Sequence, residues 1–400
     1  MKKLMLLGGS RYAIPVIEAA HKLGIYVITC DYLPDNIAHK YSDQYCNVSI
    51  IEKEAVLKVA KELQIDGIMS FACDPGVVTA AYVAENMGLP SVGSYESVSI
   101  LQNKARFRKF LRNNGFNVPK TYSYNTVEDA LKDKDSIEYP VIVKPVDSAG
   151  SKGVTRVDSA EELPVAVKHA FDFSFGKQII IEDYIEKVDC SSDTDCFSIN
   201  GRLVFVSFNS QRFDEFSSNP YTPSAYSWPS TLPSEVEREL TNEIQRVISL
   251  LNLGSSIYNV ETRLSTNGKP YIMEISPRGG GNRLAECLRY ATGVDLVGGA
   301  VRAALGMEIT DIEQKPYKGC WAEVVLHSDS TGIYKDLWIS DEIKNNVVEK
   351  VLWVSSGDEI YAFDSANKAI GTLVLNFENS KKLEKVMRNV RQYVKVILEG

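Results

Sequence analysis

The chain has 400 residues, 44% hydrophobic and 24% charged, the composition of a folded globular protein and too long for one ordinary core, so two or three domains are expected. A net charge of −8 without a basic tract argues against a nucleic-acid partner, and no apolar run reaches the ~18 residues of a membrane-spanning helix. Seven scattered cysteines without a CxxC pair fit reduced thiols in a cytoplasmic protein, and four separated histidines give no zinc pattern.

The first lysines, Lys2 and Lys3, precede a short apolar run, residues 4–7, that breaks at Gly8-Gly9. That is too short for a signal peptide and reads as a first buried strand. Strands at 4–7, 26–30 and 67–71 then alternate with helical patterns ending near 23, 63 and 87. Alternation of this kind predicts a parallel doubly wound sheet, with ligands beyond the carboxyl ends of its strands. Those ends carry Gly8-Gly9-Ser10, Asp31 and Cys73-Asp74-Pro75-Gly76. No GxGxxG is present, so a dinucleotide fingerprint is lacking. The Gly8-Gly9 turn is either an anion-holding helix start or a simple tight turn.

Residues 94–115 read as one amphipathic helix, with Ser94 as N-cap and Arg106, Arg108 and Lys109 on a solvated basic face. Residues 141–144 and 154–157 read as paired strands around the Ser/Gly loop 147–153. The loop is not a P-loop, but its backbone N–H groups can fold over phosphates, with Lys144 and Lys152 adding positive charge. Ser159 to Glu162 has the pattern of a capping box. A buried strand at 179–182 follows, then a hairpin around Asn200-Gly201. Residues 209–233 are rich in Ser, Pro and aromatics without periodicity, and read as a long functional loop.

The stretch 257–278, IYNVETRLSTNGKPYIMEISPR, is a β-hairpin by its Asn267-Gly268 turn signal. A tight turn centred there puts Glu261 directly opposite Glu274, with Cβ atoms ~5 Å apart. Like charges so placed repel, which suggests a divalent cation between them, although a solvated sheet face could carry the same pair. Pro277-Arg278-Gly279-Gly280-Gly281 follows as a flexible cationic loop, suited to a phosphate or carboxylate. Strands near 320–326, 347–354 and 371–377 and a closing helix complete a small α+β unit.

The order and spacing of these parts resemble the ATP-grasp superfamily. The resemblance implies an α/β architecture of a Rossmann-like N-terminal domain (about 1–93), an ATP-grasp domain (about 94–310) with an α+β lid at about 120–183, and a C-terminal α+β domain (about 311–400). It implies that Lys104, Lys144 and the loop residues Ser148, Gly150, Ser151 and Gly153 contact ATP. Glu182, Asp183, Tyr184 and Ile185 match the adenine hinge. Asp189, or else Asp193 or Asp195, matches the ribose acid. Glu261 and Glu274 match the Mg²⁺ (or Mn²⁺) carboxylates, with Ser276 at the position where the family usually has Asn and Asn259 opposite it. Arg278 and Lys104 take the catalytic positions. The implied chemistry is ATP-driven ligation of small-molecule carboxylate and amine substrates through an acyl phosphate, as in amino-acid ligases or purine-pathway enzymes such as phosphoribosylglycinamide synthetase, and a homodimer is common for such folds. A non-catalytic nucleotide sensor and an NAD(P)-dependent dehydrogenase are the competing classes.

Overall fold

The computed structural model describes residues 1–148 and 150–399. Its N-terminal part carries β1 (Lys3–Leu7), β2 (Tyr26–Asp31), β3 (Gln44–Asn47) and β4 (Gly67–Ser70), joined by helices α1 (Ile14–Lys22) and α2 (Lys53–Leu63). The strands pair in parallel in the order β3-β2-β1-β4. Near-continuous burial along β1, β2 and β4 explains their unbroken apolar sequence. Helix α3 (Asp74–Met87) leaves the end of β4 with Asp74 and Pro75 in its first turn.

The single helix expected over 94–115 is two, α4 (Tyr95–Gln102) and α5 (Lys104–Asn113). Asn103 is extended, and its side chain accepts a hydrogen bond from the Arg106 N–H, so it caps the second helix instead of continuing the first. This break makes Lys104 the first residue of α5.

A small lid follows, built from β5 (Thr121–Tyr124), α6 (Val127–Lys132), β6 (Val141–Pro145), β7 (Thr155–Val157), α7 (Leu163–Asp172) and β8 (Ile179–Asp183), with sheet order β5-β8-β6-β7 and its own apolar core. The expected capping box does not open α7. The Glu162 carboxylate instead accepts the Asp158 N–H at 3.0 Å, and the helix begins at Leu163 with Pro164 in its first turn, where a missing N–H costs nothing.

The central antiparallel sheet has the order β10-β9-β13-β14, from β9 (Ser192–Ile199), β10 (Arg202–Phe205), β13 (Ser256–Leu264) and β14 (Pro270–Ser276). Between them in sequence come β11 (Ser210–Phe213), β12 (Pro223–Trp228) and α8 (Ser234–Leu250). Leu240, Ile244, Val247 and Ile248 of α8 close one face of the central sheet together with Tyr258, Val260 and Ile275. Helices α9 (Leu284–Thr292) and α10 (Leu296–Ala304) pack in the core that joins the N-terminal part to the rest.

Residues 209–233 are therefore not a structureless loop. Strands β11 and β12 pair with each other, and β12 pairs with β15 (Cys320–Leu326). The remaining strands are β16 (Gly332–Ile339), β17 (Val347–Leu352), β18 (Glu359–Ile360), β19 (Gly371–Phe377) and β20 (Val394–Leu398). The five-stranded sheet β11-β12-β15-β19-β17 thus draws two strands from before residue 311. Several polar groups of this segment are bonded within it: Arg212 Nη1 donates to Ser227 Oγ at 2.6 Å, and Ser210 Oγ lies 3.2 Å from Thr231 Oγ1. Hydrogen-bonded serines stand where apolar residues would have marked a strand. Among the described residues no helix is long and apolar enough to cross a membrane, and all seven cysteines are free.

Candidate active site

Glu261 and Glu274 face each other across β13 and β14, flanked by the pairs Val260–Ile275 and Asn259–Ser276. The turn is not the tight one expected. Leu264 pairs with Pro270, leaving a five-residue loop, 265–269, in which Gly268 takes φ +80° and donates to Ser265 O at 2.9 Å. That loop alone would offset the register by one residue. A bulge between the Glu261–Glu274 and Thr262–Ile272 pairs makes up the difference, with Met273 as the extra residue. The bulge, together with the turn, sets the carboxylates opposite each other.

On the other side of β13, Asp193 of β9 faces Glu261 and Asp195 faces Asn259. Three adjacent strands therefore line up Asp193, Glu261 and Glu274 in one row and Asp195, Asn259 and Ser276 in the next. Neutralisation of the first row is slight. Lys104 Nζ lies 3.4 Å from Glu274 and Arg263 Nη2 3.6 Å from Glu261. Burial, and then the nearby Glu261, push the Asp193 carboxyl up to about 7, and burial does the same to Asp195. Asn259 Nδ2 donates to Asp193 at 2.8 Å, and the Gly280 N–H to Asp195 at 2.8 Å. A row of carboxylates with only long contacts to protein cations fits a divalent ion.

Lys104 Nζ also donates to Ser148 O at 3.1 Å, tying the start of the Ser/Gly loop to the acid row. Lys144 Nζ, half-buried, lies 2.5 Å from the buried Glu182. Burial lowers the Lys144 ammonium against the pull of Glu182. Burial alone would raise Glu182, but Arg108 and Lys144 outweigh it and hold the carboxyl at about 2. Arg108 is the third member. It is 1% exposed, so it has no place on a solvated face. Its Nε donates to Glu182 at 2.7 Å and its Nη1 to Met273 O, the bulge carbonyl, at 2.8 Å. The Glu182 carboxylate is thus held between two cations.

Ile185, Tyr271 and Met273 form a small apolar cluster just past the end of β8. Arg263 Nη1 donates to Ile185 O at 3.2 Å. Asp189 has φ +54° and pairs with Arg388 at 3.2 Å. Asp193 and Asp195 are committed to the acid rows. In the loop 147–153, Ala149 lies outside the described residues. Ser151 and Gly153 take positive φ, as does Gly150, and Ser151 Oγ donates to Tyr221 O at 2.9 Å. A Cβ on Gly153 would meet Phe173 and Pro145 at 2.9 Å.

Arg278 is buried, with Nε and Nη2 on the two oxygens of Asp74 at 2.9 and 2.7 Å and Nη1 on Gly279 O at 3.1 Å. Three of its five N–H donors are used, which leaves two. Asp74 also accepts from Ser276 Oγ at 2.7 Å, and Ser276 Oγ accepts from Gln102 Nε2 at 2.8 Å. The Ser276 hydroxyl thus donates one hydrogen bond and accepts one within the protein, which leaves it one lone pair. Of the three glycines after Arg278, Gly279 and Gly280 are closely packed, and Gly281 has open space beside it. A Cβ on Gly279 would meet the Phe71 ring at 2.3 Å, and one on Gly280 would meet Asn259 at 2.8 Å. In the Gly8-Gly9 turn the Gly8 N–H donates to Cys30 O and the Gly9 N–H to Asp31, each at 2.9 Å, so these two N–H groups are used within the protein.

Sequence reasoning put Arg108 on a solvated face, named Asp74 only within a strand-end segment, and passed over Gln102 and the Tyr271–Met273 patch. It also missed Asp214, His327 and Asp329, whose ligand atoms lie close enough for a metal. Arg391 fills that grouping, with bonds of 2.5–2.9 Å to the two aspartates.

Residues 101–282 match the ATP-grasp domain family. The chain is 29% identical over 282 residues to the carbamoyl phosphate synthase large chain of Thermoanaerobacter sp. (strain X514), a match covering 68% of this chain and 25% of that protein. It therefore spans about a quarter of the length of the curated relatives it matches. The L-amino acid ligase of Bacillus licheniformis shares the fold with a TM-score of 0.81 at 21% identity, covering 100% of this chain and 99% of that one. The phosphoribosylglycinamide synthetase of Anaerococcus prevotii does so at 0.77 and 20%, covering 100% of both. The chain thus carries an ATP-grasp domain over residues 101–282 and has the fold of the ATP-grasp ligases.

Proposed function

We propose that the protein is an ATP- and Mg²⁺-dependent ligase that joins a carboxylate to an amine and releases ADP and phosphate. The row Asp193–Glu261–Glu274, flanked by Lys104 and Lys144, carries this reading. ATP-grasp enzymes use ATP with Mg²⁺, and the residues here suit both. The ion would be held by Glu261 and Glu274, with Asp193 beside them, and would supply charge for the phosphates. Mn²⁺ suits the same oxygen donors. The patch of Ile185, Tyr271 and Met273 suits a flat base, and the Asp183–Tyr184 backbone its polar edge.

In the first step a substrate carboxylate oxygen bonds to the terminal phosphorus of ATP, the bond from that phosphorus to the bridging oxygen breaks, and ADP leaves. In the second, the amine nitrogen bonds to the acyl carbon, phosphate departs, and the amine gives up a proton. The protein contributes position and charge. Lys104 links the Ser148 carbonyl to Glu274, so loop closure and acid-row geometry change together. Arg278 is fixed by Asp74 and offers its two remaining donors to the transferring group. The loop 147–153 excludes the water that would hydrolyse an acyl phosphate.

A screen of carboxylic acids with Mg-ATP and hydroxylamine tests this. The expected result is acid-dependent ADP release with hydroxamate formation, since hydroxylamine traps an acyl phosphate. Formation of AMP and pyrophosphate, or no acid-dependent turnover, contradicts it.

A further inference from the structure

The loop between β11 and β12, residues 214–222, touches the loop that would cover the phosphates. Ser151 Oγ donates to Tyr221 O at 2.9 Å, and Ser151 takes φ +59°, which a residue other than glycine seldom adopts. Tyr221 is itself held. Its N–H donates to Asn219 Oδ1 at 3.0 Å, and Asn219 Nδ2 donates to Asp364 O at 3.0 Å. The Thr222 hydroxyl reaches the same carbonyl at 3.4 Å. A chain of hydrogen bonds thus runs from Asp364, through Asn219 and Tyr221, to Ser151.

The start of the loop is anchored by charge. Asp214 accepts from Arg391 Nε at 2.9 Å and from its Nη2 at 2.5 Å, and His327 Nε2 lies 3.0 Å from Asp214 Oδ2. Asp329 accepts from the same guanidinium at 2.6 and 2.5 Å. Burial would raise the Asp214 carboxyl, but His327 and Arg391 outweigh it and hold it well below the usual carboxylate range. The His327 ring stacks on Phe363, with ring centres 4.3 Å apart. His327, Asp364 and Arg391 all come after residue 311, so the loop 214–222 is a strap from the C-terminal part of the chain to the nucleotide loop.

We infer that Asp214 and Asn219 are positioning residues for the nucleotide: through Tyr221 O they hold the loop 147–153 in the arrangement that covers the phosphates, and the C-terminal part thereby sets the affinity for ATP. The inference rests on the reading of 147–153 as the phosphate loop. Both side chains bond within the protein, and their route to the nucleotide is the Ser151 hydroxyl. A loop docked in advance loses less freedom when its ligand binds, so less of the interaction is spent on ordering it. A strap that only stabilised the fold would have no need of Ser151 as intermediary, and that difference is measurable.

Calorimetric titration of the full chain with a non-hydrolysable ATP analogue and Mg²⁺ tests this. Ser151→Ala, Asn219→Ala and Asp214→Asn are each expected to bind the analogue about fivefold more weakly, the scale of one neutral hydrogen bond. The double variant Ser151→Ala/Asn219→Ala is expected to bind like Ser151→Ala alone, because residues acting through one contact are not additive. Ser151→Ala or Asn219→Ala binding as wild type, or single losses that multiply to about 25-fold in the double variant, as independent sites would give, would overturn the inference. Should Asp214→Asn fail to fold, the Ser151 and Asn219 variants decide, since both change neutral side chains in loops. The titration involves no turnover, so its failure is separable from failure of the hydroxamate test. Wild type that binds no analogue would overturn the phosphate-loop reading together with the inference.

Discussion

Arg108 shows how much one buried side chain organises. It joins α5 to the lid through Glu182 and to the bulge through Met273 O, and it keeps Glu182 ionised beside Lys144. Arg108→Ala would leave that carbonyl unpaired and Glu182 with one cation, at a cost of about 3–5 kcal/mol, the range for breaking a buried ion pair. Arg108→Lys would recover little, because one ammonium lacks the fork that reaches both acceptors. Urea unfolding reads both, and a loss below about 1 kcal/mol for Arg108→Ala, the level of an exposed pair, would contradict the role. Lys144→Ala is different. Arg108 still holds Glu182, so the fold should survive while ATP binding weakens, and calorimetric titration showing unchanged affinity would remove Lys144 from the site. The sequence hides Arg108 because Arg106 and Lys109 make its surroundings look like a solvated basic face. The missing clue is the break at Asn103: once a helix starts at Lys104, that residue, Arg108 and Leu111 lie on one face at helical spacing.

The hairpin and the loop 147–153 decide how the site is built from elements. The opposition of Glu261 and Glu274 is readable from the Asn267-Gly268 signal, yet the route to it is not. A wider turn and a bulge compensate each other, and bulges have no reliable sequence mark. The same bulge turns both Met273 and Glu274 toward the site. In the loop, Asp147 is already fixed, accepting from Ser174 Oγ at 3.1 Å and from the Phe175 and Gly176 N–H groups at 3.2 and 2.6 Å. Movement should therefore begin after Asp147. Hydrogen exchange is expected to slow at 150–154 when an ATP analogue binds, while the amides of Phe175 and Gly176 stay protected throughout. Equal exchange at 150–154 with and without nucleotide would contradict closure. Strands β11 and β12 escaped the sequence because Ser210, Gln211, Ser224 and Ser227 share their buried positions with Ala225, Tyr226 and Trp228, which breaks the apolar pattern.

Across the whole molecule, alternating strands and helices made the N-terminal sheet legible, and the order of motifs made the nucleotide fold legible. The sharing of one sheet between residues 210–228 and the C-terminal strands was not, because pairing over such sequence distances leaves no local pattern. The buried acids give the molecule a pH signature. Asp193 and Asp195 stand near 7 and Glu323 near 8, all raised mainly by burial. Between about pH 4 and 8 the folded chain therefore holds protons that the unfolded chain has lost, and stability falls as pH rises. The melting temperature of metal-free protein should be lower at about pH 8 than at about pH 5.5, with Mg²⁺ restoring part of it at the higher pH. A metal-free melting temperature that rises across this window would contradict those acids. The claim on which the account turns is that the carboxylates of β13 and β14 hold the ion that ATP chemistry needs. Glu274→Gln keeps the side chain's shape and removes one charge, so it should fold normally and, without metal, be at least as stable as wild type. ADP formation measured against Mg²⁺ concentration for both proteins tests this most directly. The account predicts that Glu274→Gln loses about 10²-fold or more in Mg²⁺-dependent rate, and a mutant that matches wild type at every Mg²⁺ concentration would contradict it.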